Sequence, residues 1–168
     1  MVSVIIETKN AEEALARTLA SLVGAAVEGL VRDVIIVDHG SDDHTDRVAD
    51  AAGCTFLENQ PLLDAVRRAR GEWLLFLEPG ARLLDGWSEA ARNHIEALPG
   101  PARFTRSKIN RPRFLARVFG TNAPLSDGLL MSKRQAMALL KPGYGAEDLA
   151  RGIAARRLKG EIVPASRA

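Results

Sequence analysis

At 168 residues, with 46% apolar and 26% charged side chains, the chain has the make-up of one globular domain that buries about two-thirds of its unfolded surface. A single cysteine, Cys54, excludes an internal disulfide. The start Met1-Val2-Ser3 lacks the basic opening of a signal peptide, and the apolar run Trp73–Leu77 is too short to cross a bilayer.

Val2–Ile6 is a β-branched run expected to form a strand covered on both faces. Asn10 is placed to cap a helix, with Glu13 as its capping-box partner, and Leu15, Leu19, Leu22, Val23 and Ala26 recur as one buried helical stripe that Gly29 ends. Asp33–Val37 is the second strand. Ser41 is expected to cap a helix running to Ala52, with Asp42 and Asp43 near its positive end. Gly53 stops it, and Cys54–Glu58 is the third strand, in which Cys54 reads as a buried, inert thiol. A short helix over 62–70 leads to a fourth strand over 72–77, broken by Glu78-Pro79-Gly80.

A helix is expected over 86–98, and Pro99-Gly100-Pro101 ends it. Between Ala102 and Pro124 the periodicity dissolves. Arg103, Arg106, Lys108, Arg111, Arg113 and Arg117 stand there without an acid, interleaved with Phe104, Phe114, Leu115 and Phe119. Gly128–Met131 reads as a strand, Lys133–Leu140 as a helix, and Ala146–Leu158 as a helix with Glu147 and Asp148 in its first turn and Arg156, Arg157 and Lys159 at its end. Gly160 then stops it, and Glu161–Val163 is a last short strand.

Strands alternating with helices imply an α/β fold with a mostly parallel sheet and right-handed crossovers. The turns Thr8-Lys9-Asn10 and Asp38-His39-Gly40-Ser41-Asp42 close the first two strands, so both face the crevice at the strands' carboxyl ends, where open α/β sheets bind ligands. No Gly-x-Gly-x-x-Gly follows the first strand and no Gly-Lys-Ser/Thr occurs, which disfavours dinucleotide and P-loop sites. His39, His44 and His94 lack the spacing of a zinc site. Trp87 is either a contact for an acceptor or a core residue at a helix start.

The segments Val2–Asn10, Val34–Asp43, Gly71–Glu78 and Ala146–Leu158, in this order, resemble the four landmark segments of family 2 glycosyltransferases. The resemblance implies a GT-A fold, a Rossmann-like sheet flanked by helices in a single domain over 1–168. Residues 1–80 would be the nucleotide-binding half and 81–168 the acceptor and catalytic half. It implies inverting transfer of a sugar from a nucleotide-sugar donor, usually UDP-linked, to an acceptor hydroxyl. By position, Thr8, Asn10, Asp38, Gly40 and Ser41 would bind the nucleotide. Asp148 would be the general base, with Glu147 beside it. A base must lie within reach of the acceptor proton, and a helix start favours its ionised form.

The chain departs from the family pattern at two turns. The family's Asp-x-Asp, whose carboxylates hold a divalent cation (Mg²⁺ or Mn²⁺) against the diphosphate, reads Glu78-Pro79-Gly80, leaving Glu78 as the candidate metal ligand. With one carboxylate missing, either binding is weak, or a cation such as Lys9 or Arg82 substitutes for the metal, or the domain is catalytically silent and binds a nucleotide or a partner. Glu7 stands where the family usually has proline. Charge is also uneven: residues 1–60 carry 11 acids and 4 bases, residues 61–168 carry 10 acids and 19 bases. The basic stretch 103–119 is either solvated surface, an anionic-membrane contact suited to a lipid-linked acceptor, or, ranked last, a nucleic-acid contact. The expected location is the cytoplasm, or the inner face of the membrane, with a second copy as one way to complete a small acceptor pocket.

Overall fold

The computed structural model describes residues 1–97, 100–108 and 123–166. In chain order they form β1 (Val2–Thr8), α1 (Glu12–Val27), β2 (Val31–Asp38), α2 (Thr45–Ala51), β3 (Thr55–Glu58), α3 (Leu62–Arg68), β4 (Trp73–Leu77), β5 (Arg82–Leu83) and α4 (Trp87–Ala97). These are followed by β6 (Ala102–Arg106), β7 (Leu129–Ser132), α5 (Lys133–Leu139), α6 (Ala146–Arg151) and β8 (Arg156–Val163). The eight strands make one sheet in the order β3-β2-β1-β4-β7-β6-β8-β5. β1 to β4 run parallel, β7 is antiparallel to β4, and β6 and β8 are parallel to each other. The sheet is therefore Rossmann-like in its first half and mixed in its second.

The β-branched run of β1 is buried on both faces, because alternate residues serve two cores. Val4 and Ile6 pack with Leu15, Leu19 and Leu22 of α1 on one face. Ile5 packs on the other face with Leu62 and Val66 of α3 and Leu149 of α6. One core takes residues from β1 and β8 and the other from β1 and α6, so early and late segments of the chain pack together on both faces of the sheet.

Several expected elements differ. The helix over 146–158 stops at Arg151, with Gly152 after it, and 156–163 is a strand. Leu158, Gly160 and Ile162 turn inward and their neighbours outward, the two-residue period of a sheet. Gly160, expected to stop a helix, lies inside β8, where an added Cβ would stand 3.1 Å from Trp87 Cα and 3.2 Å from Phe104 Cδ1. Ala102–Arg106, expected to be irregular, is β6, with Ala102 and Phe104 buried. Arg82–Leu83 adds the unanticipated β5 beside β8.

The stripe of α1 is Leu15, Thr18, Leu19, Leu22 and Ala25, whereas Val23 is 59% exposed. Trp87 is a core residue, edge-on to Phe104 at 6.1 Å. Among the described residues no helix is long and apolar enough to cross a membrane.

Candidate active site at the carboxyl edge of the sheet

Parallel pairing places Thr8 opposite Asp38, and Asp38 opposite Glu58, at one edge. Ile6 lies opposite Leu77, so Glu78 leaves β4 at the same level. The two sequence-predicted turns meet here and hydrogen-bond to each other.

Asp38 is buried and accepts four hydrogen bonds: from the Thr8 hydroxyl (2.8 Å), the Ser41 hydroxyl (2.5 Å), and the amides of Gly40 (3.1 Å) and Ser41 (2.7 Å). Burial alone would raise its pKa, but the Ser41 hydroxyl and amide, the Thr8 hydroxyl and the Gly40 amide together hold it below the ordinary carboxylate value. Four bonds fill the acceptor positions of a carboxylate. Asp38 therefore organises the turn from beneath, and the atoms left facing outward belong to Lys9, Asn10, His39 and Gly40, all exposed. Gly40 adopts φ +81°, a conformation that favours glycine.

Asn10 and Ser41 are joined, but not as helix caps. Asn10 has φ +49°; its amide donates to Ser41 Oγ (2.8 Å) and its Oδ1 accepts from the Asp42 amide (2.9 Å). The helix ends are served by Asp43, which accepts from the Glu12 amide of α1 (3.1 Å) and the Thr45 amide of α2 (3.0 Å). Sequence reasoning had Asp43 near a helix start but could not see one carboxylate serving two.

The start of α6 reaches this edge through Glu7. One Glu7 oxygen accepts from the Ala146 amide (2.5 Å), and the other meets His39 Nε2 (2.9 Å). Glu147 lines a cavity of about 330 Å³ with Glu7, Glu78, Leu125 and Ser166. Asp148 is turned differently: its Oδ2 accepts from the Gly145 amide (3.1 Å), and its Oδ1 lies 3.5 Å from Arg151. Thus Thr8, Asn10, Asp38, Gly40 and Ser41 form one cluster, while Glu78 and Glu147 share a cavity with Asp148 at the helix start beside it. Glu7, a carboxylate expected to repel a diphosphate unless it points into the core or helps hold a metal, instead joins the two groups.

A larger cleft of about 750 Å³ opens at the opposite edge, lined by Arg70, Gly71, Trp73, Ser132 and Lys133. Its volume is not matched by chemistry: Lys133 Nζ is tied to the carbonyls of Arg67 (3.0 Å) and Ala69 (2.7 Å). The carboxyl edge, where the paired turns and the carboxylates converge, is the candidate site.

The residues present do not make the metal site of an Asp-x-Asp turn. Gly80 has no side chain, its amide donates to Thr18 Oγ1 (2.8 Å), and an added Cβ would meet Ala165 at 3.3 Å. Glu7 already has a partner on each oxygen. Among the described residues no three ligating side chains are placed to hold a metal ion.

The basic stretch 103–119 falls mostly on 109–122, outside the described residues. Of its described part, Arg103 donates to the carbonyls of Pro124 and Ala150, and Arg106 pairs with Asp127, which also holds Arg157 at 2.6 Å. These guanidinium groups knit β6 to its neighbours.

The model of glycosyl transferase family 2 matches residues 3–100, more than half of the chain. Solved structures similar in fold include glucosyl-3-phosphoglycerate synthase from Mycobacterium tuberculosis in complex with Mn²⁺, UDP and glucosyl-3-phosphoglycerate. It is 20% identical, with a TM-score of 0.65 over 100% of this chain and 73% of that one. The complex of the same enzyme with Mn²⁺, UDP-glucose and phosphoglyceric acid gives a TM-score of 0.66 at 20% identity, again over 100% of this chain and 73% of that one. A search of curated proteins finds no match.

Proposed function

The chain belongs to glycosyl transferase family 2, and on that premise we propose that it moves a sugar from a nucleotide-sugar donor to an acceptor hydroxyl with inversion at the anomeric carbon. The observation that carries this reading is the Glu7–Ala146 hydrogen bond. It brings the only helix start bearing two adjacent acids among the described residues of the second half to the edge where the two nucleotide-facing turns meet. The donor's nucleoside lies against Lys9, Asn10, His39 and Gly40, in a pocket whose floor is Thr8, Asp38 and Ser41. UDP is the favoured nucleotide, since the structures of like fold hold UDP and UDP-glucose.

In the reaction the acceptor oxygen attacks the anomeric carbon, its proton passes to a carboxylate, and the nucleoside diphosphate departs with the bonding electrons. The family motif places Asp148 as that base, with Glu147 next to it. Glu147 is the member of the pair that lines the cavity with Glu7 and Glu78, which favours it as the base. In this proposal Glu147 takes the proton and Asp148 secures the helix start. Residues 1–80 then serve the donor and 81–168 the acceptor. Lys9, exposed in the first turn, or Arg82, exposed in β5, offsets diphosphate charge.

The test is UDP release from a panel of UDP-sugars with simple hydroxyl and phosphorylated acceptors. Glu147→Gln is expected to lower turnover at least about 100-fold, the usual contribution of a general base, with donor affinity retained. Asp148→Asn is expected to weaken it less. A reversed order gives the proton to Asp148, and turnover indifferent to both substitutions removes α6 from the chemistry. No nucleotide binding at all would instead favour a silent partner-binding domain.

A further inference from the structure

We propose that Glu7 is a positioning residue that clamps the base-bearing helix to the donor turn. The inference rests on the transfer reading above for its chemistry, and on geometry for the clamp. Glu7 sits next to the end of β1, one residue before Thr8, whose hydroxyl meets Asp38. Its carboxylate bridges two elements remote in sequence. One oxygen takes the Ala146 amide, the first of α6 and the residue before Glu147; the other takes His39 Nε2 in the turn after β2.

The surroundings are shaped for this contact. At Gly145 a Cβ would stand 3.1 Å from Glu7 Oε2 and 3.4 Å from Oε1, so a side chain there would push the carboxylate away. Asp148 reaches back to the Gly145 amide. Two successive amides at the start of α6 are thus held by two carboxylates, one from α6 itself and one from β1. α6 is six residues long, too short to be rigid alone in water. Its inner side packs through Ala146, Leu149 and Ala150, and Glu7 adds a polar anchor at its first amide, beside Glu147. Removing that anchor lets the base drift, and displacement by about 1 Å is enough to cost about 100-fold in rate. A proline at this position, as the family usually has, offers no such bridge.

The full-length chain is compared with Glu7→Ala, Glu7→Gln, Gly145→Ala and the Glu7→Ala/Gly145→Ala double variant. Glutamine keeps an oxygen for the Ala146 amide, so it is expected to rescue. In hydrogen–deuterium exchange, Glu7→Ala and Gly145→Ala speed uptake over residues 145–149 by about tenfold, Glu7→Gln does not, and the double variant adds nothing to the singles. With UDP-glucose as the probe, Glu7→Ala lowers kcat at least about tenfold while KM for UDP-glucose stays within about twofold, and Glu7→Gln stays near the parent. Unchanged exchange in Glu7→Ala, additive effects in the double variant, or equal losses in Glu7→Ala and Glu7→Gln would overturn the clamp. If the parent chain turns over no UDP-sugar, the transfer reading fails, and the exchange measurement still decides whether Glu7 anchors α6.

Discussion

Asp38 shows how a single carboxylate can be present in the right motif yet act from below the surface. Its hydrogen bonds join β1, β2 and the turn that follows, so its charge stabilises the fold as well as the site. Its folded pKa lies below the unfolded value near 3.8. The stability it contributes is therefore complete above that value and is lost as pH falls through the lower folded one. Urea unfolding between pH 5 and pH 2 is expected to show a steep loss of stability in the parent chain and a shallower one in Asp38→Asn. At pH 7 that variant is less stable by about 1–3 kcal/mol, because an amide nitrogen then faces donors that need an acceptor. Equal pH slopes would contradict this. Cys54 gives the opposite case, a group silenced by its surroundings. Burial pushes its thiol up to about 11, so alkylation by iodoacetamide at pH 8 is expected to be at least about tenfold slower than in the urea-unfolded chain.

At the scale of elements, the sequence was readable where period and punctuation agreed. β1, β2 and β4 each carry an apolar run (Val4–Ile6, Val34–Val37 and Trp73–Leu77) that ends in a polar turn, and parallel pairing brings those turns to the carboxyl ends of the strands. The last third was harder for physical reasons. Arg156, Arg157 and Lys159 suit a helix carboxyl end as well as an exposed strand face, and only the inward alternation of Leu158, Gly160 and Ile162 separates the two. Asn10 and Ser41 have the residue types of helix caps, yet each turn satisfies the other, a tertiary pairing that local preference cannot foresee. The approach of α6 to β1 was equally hidden, since 139 residues separate Glu7 from Ala146. Gly160 tests the strand assignment. Gly160→Ala inserts a methyl against Trp87, Ala90 and Phe104 and is expected to destabilise the chain by about 1–3 kcal/mol, measured by the shift in urea midpoint. An unchanged midpoint would contradict this close packing of Gly160 inside the sheet.

For the whole molecule, one continuous sheet joins the first four strands to the last four. Glu7 and Thr8 belong to β1, Glu78 follows β4, and Leu125 and Glu147 come from the second half, yet Glu7, Glu78, Leu125 and Glu147 line one cavity. Heating is expected to give one cooperative transition in calorimetry, with calorimetric and van't Hoff enthalpies equal; two resolved transitions would show separable halves. The larger cleft at the opposite edge makes the location of the site a sharp question. The most direct answer is amide chemical-shift mapping of the full chain titrated with UDP. The largest shifts are expected at Lys9, Asn10, His39 and Gly40, with a smaller response at Ala146 and Glu147 through Glu7. Shifts centred on Arg70, Gly71, Ser132 and Lys133, or none anywhere at millimolar UDP, would contradict it.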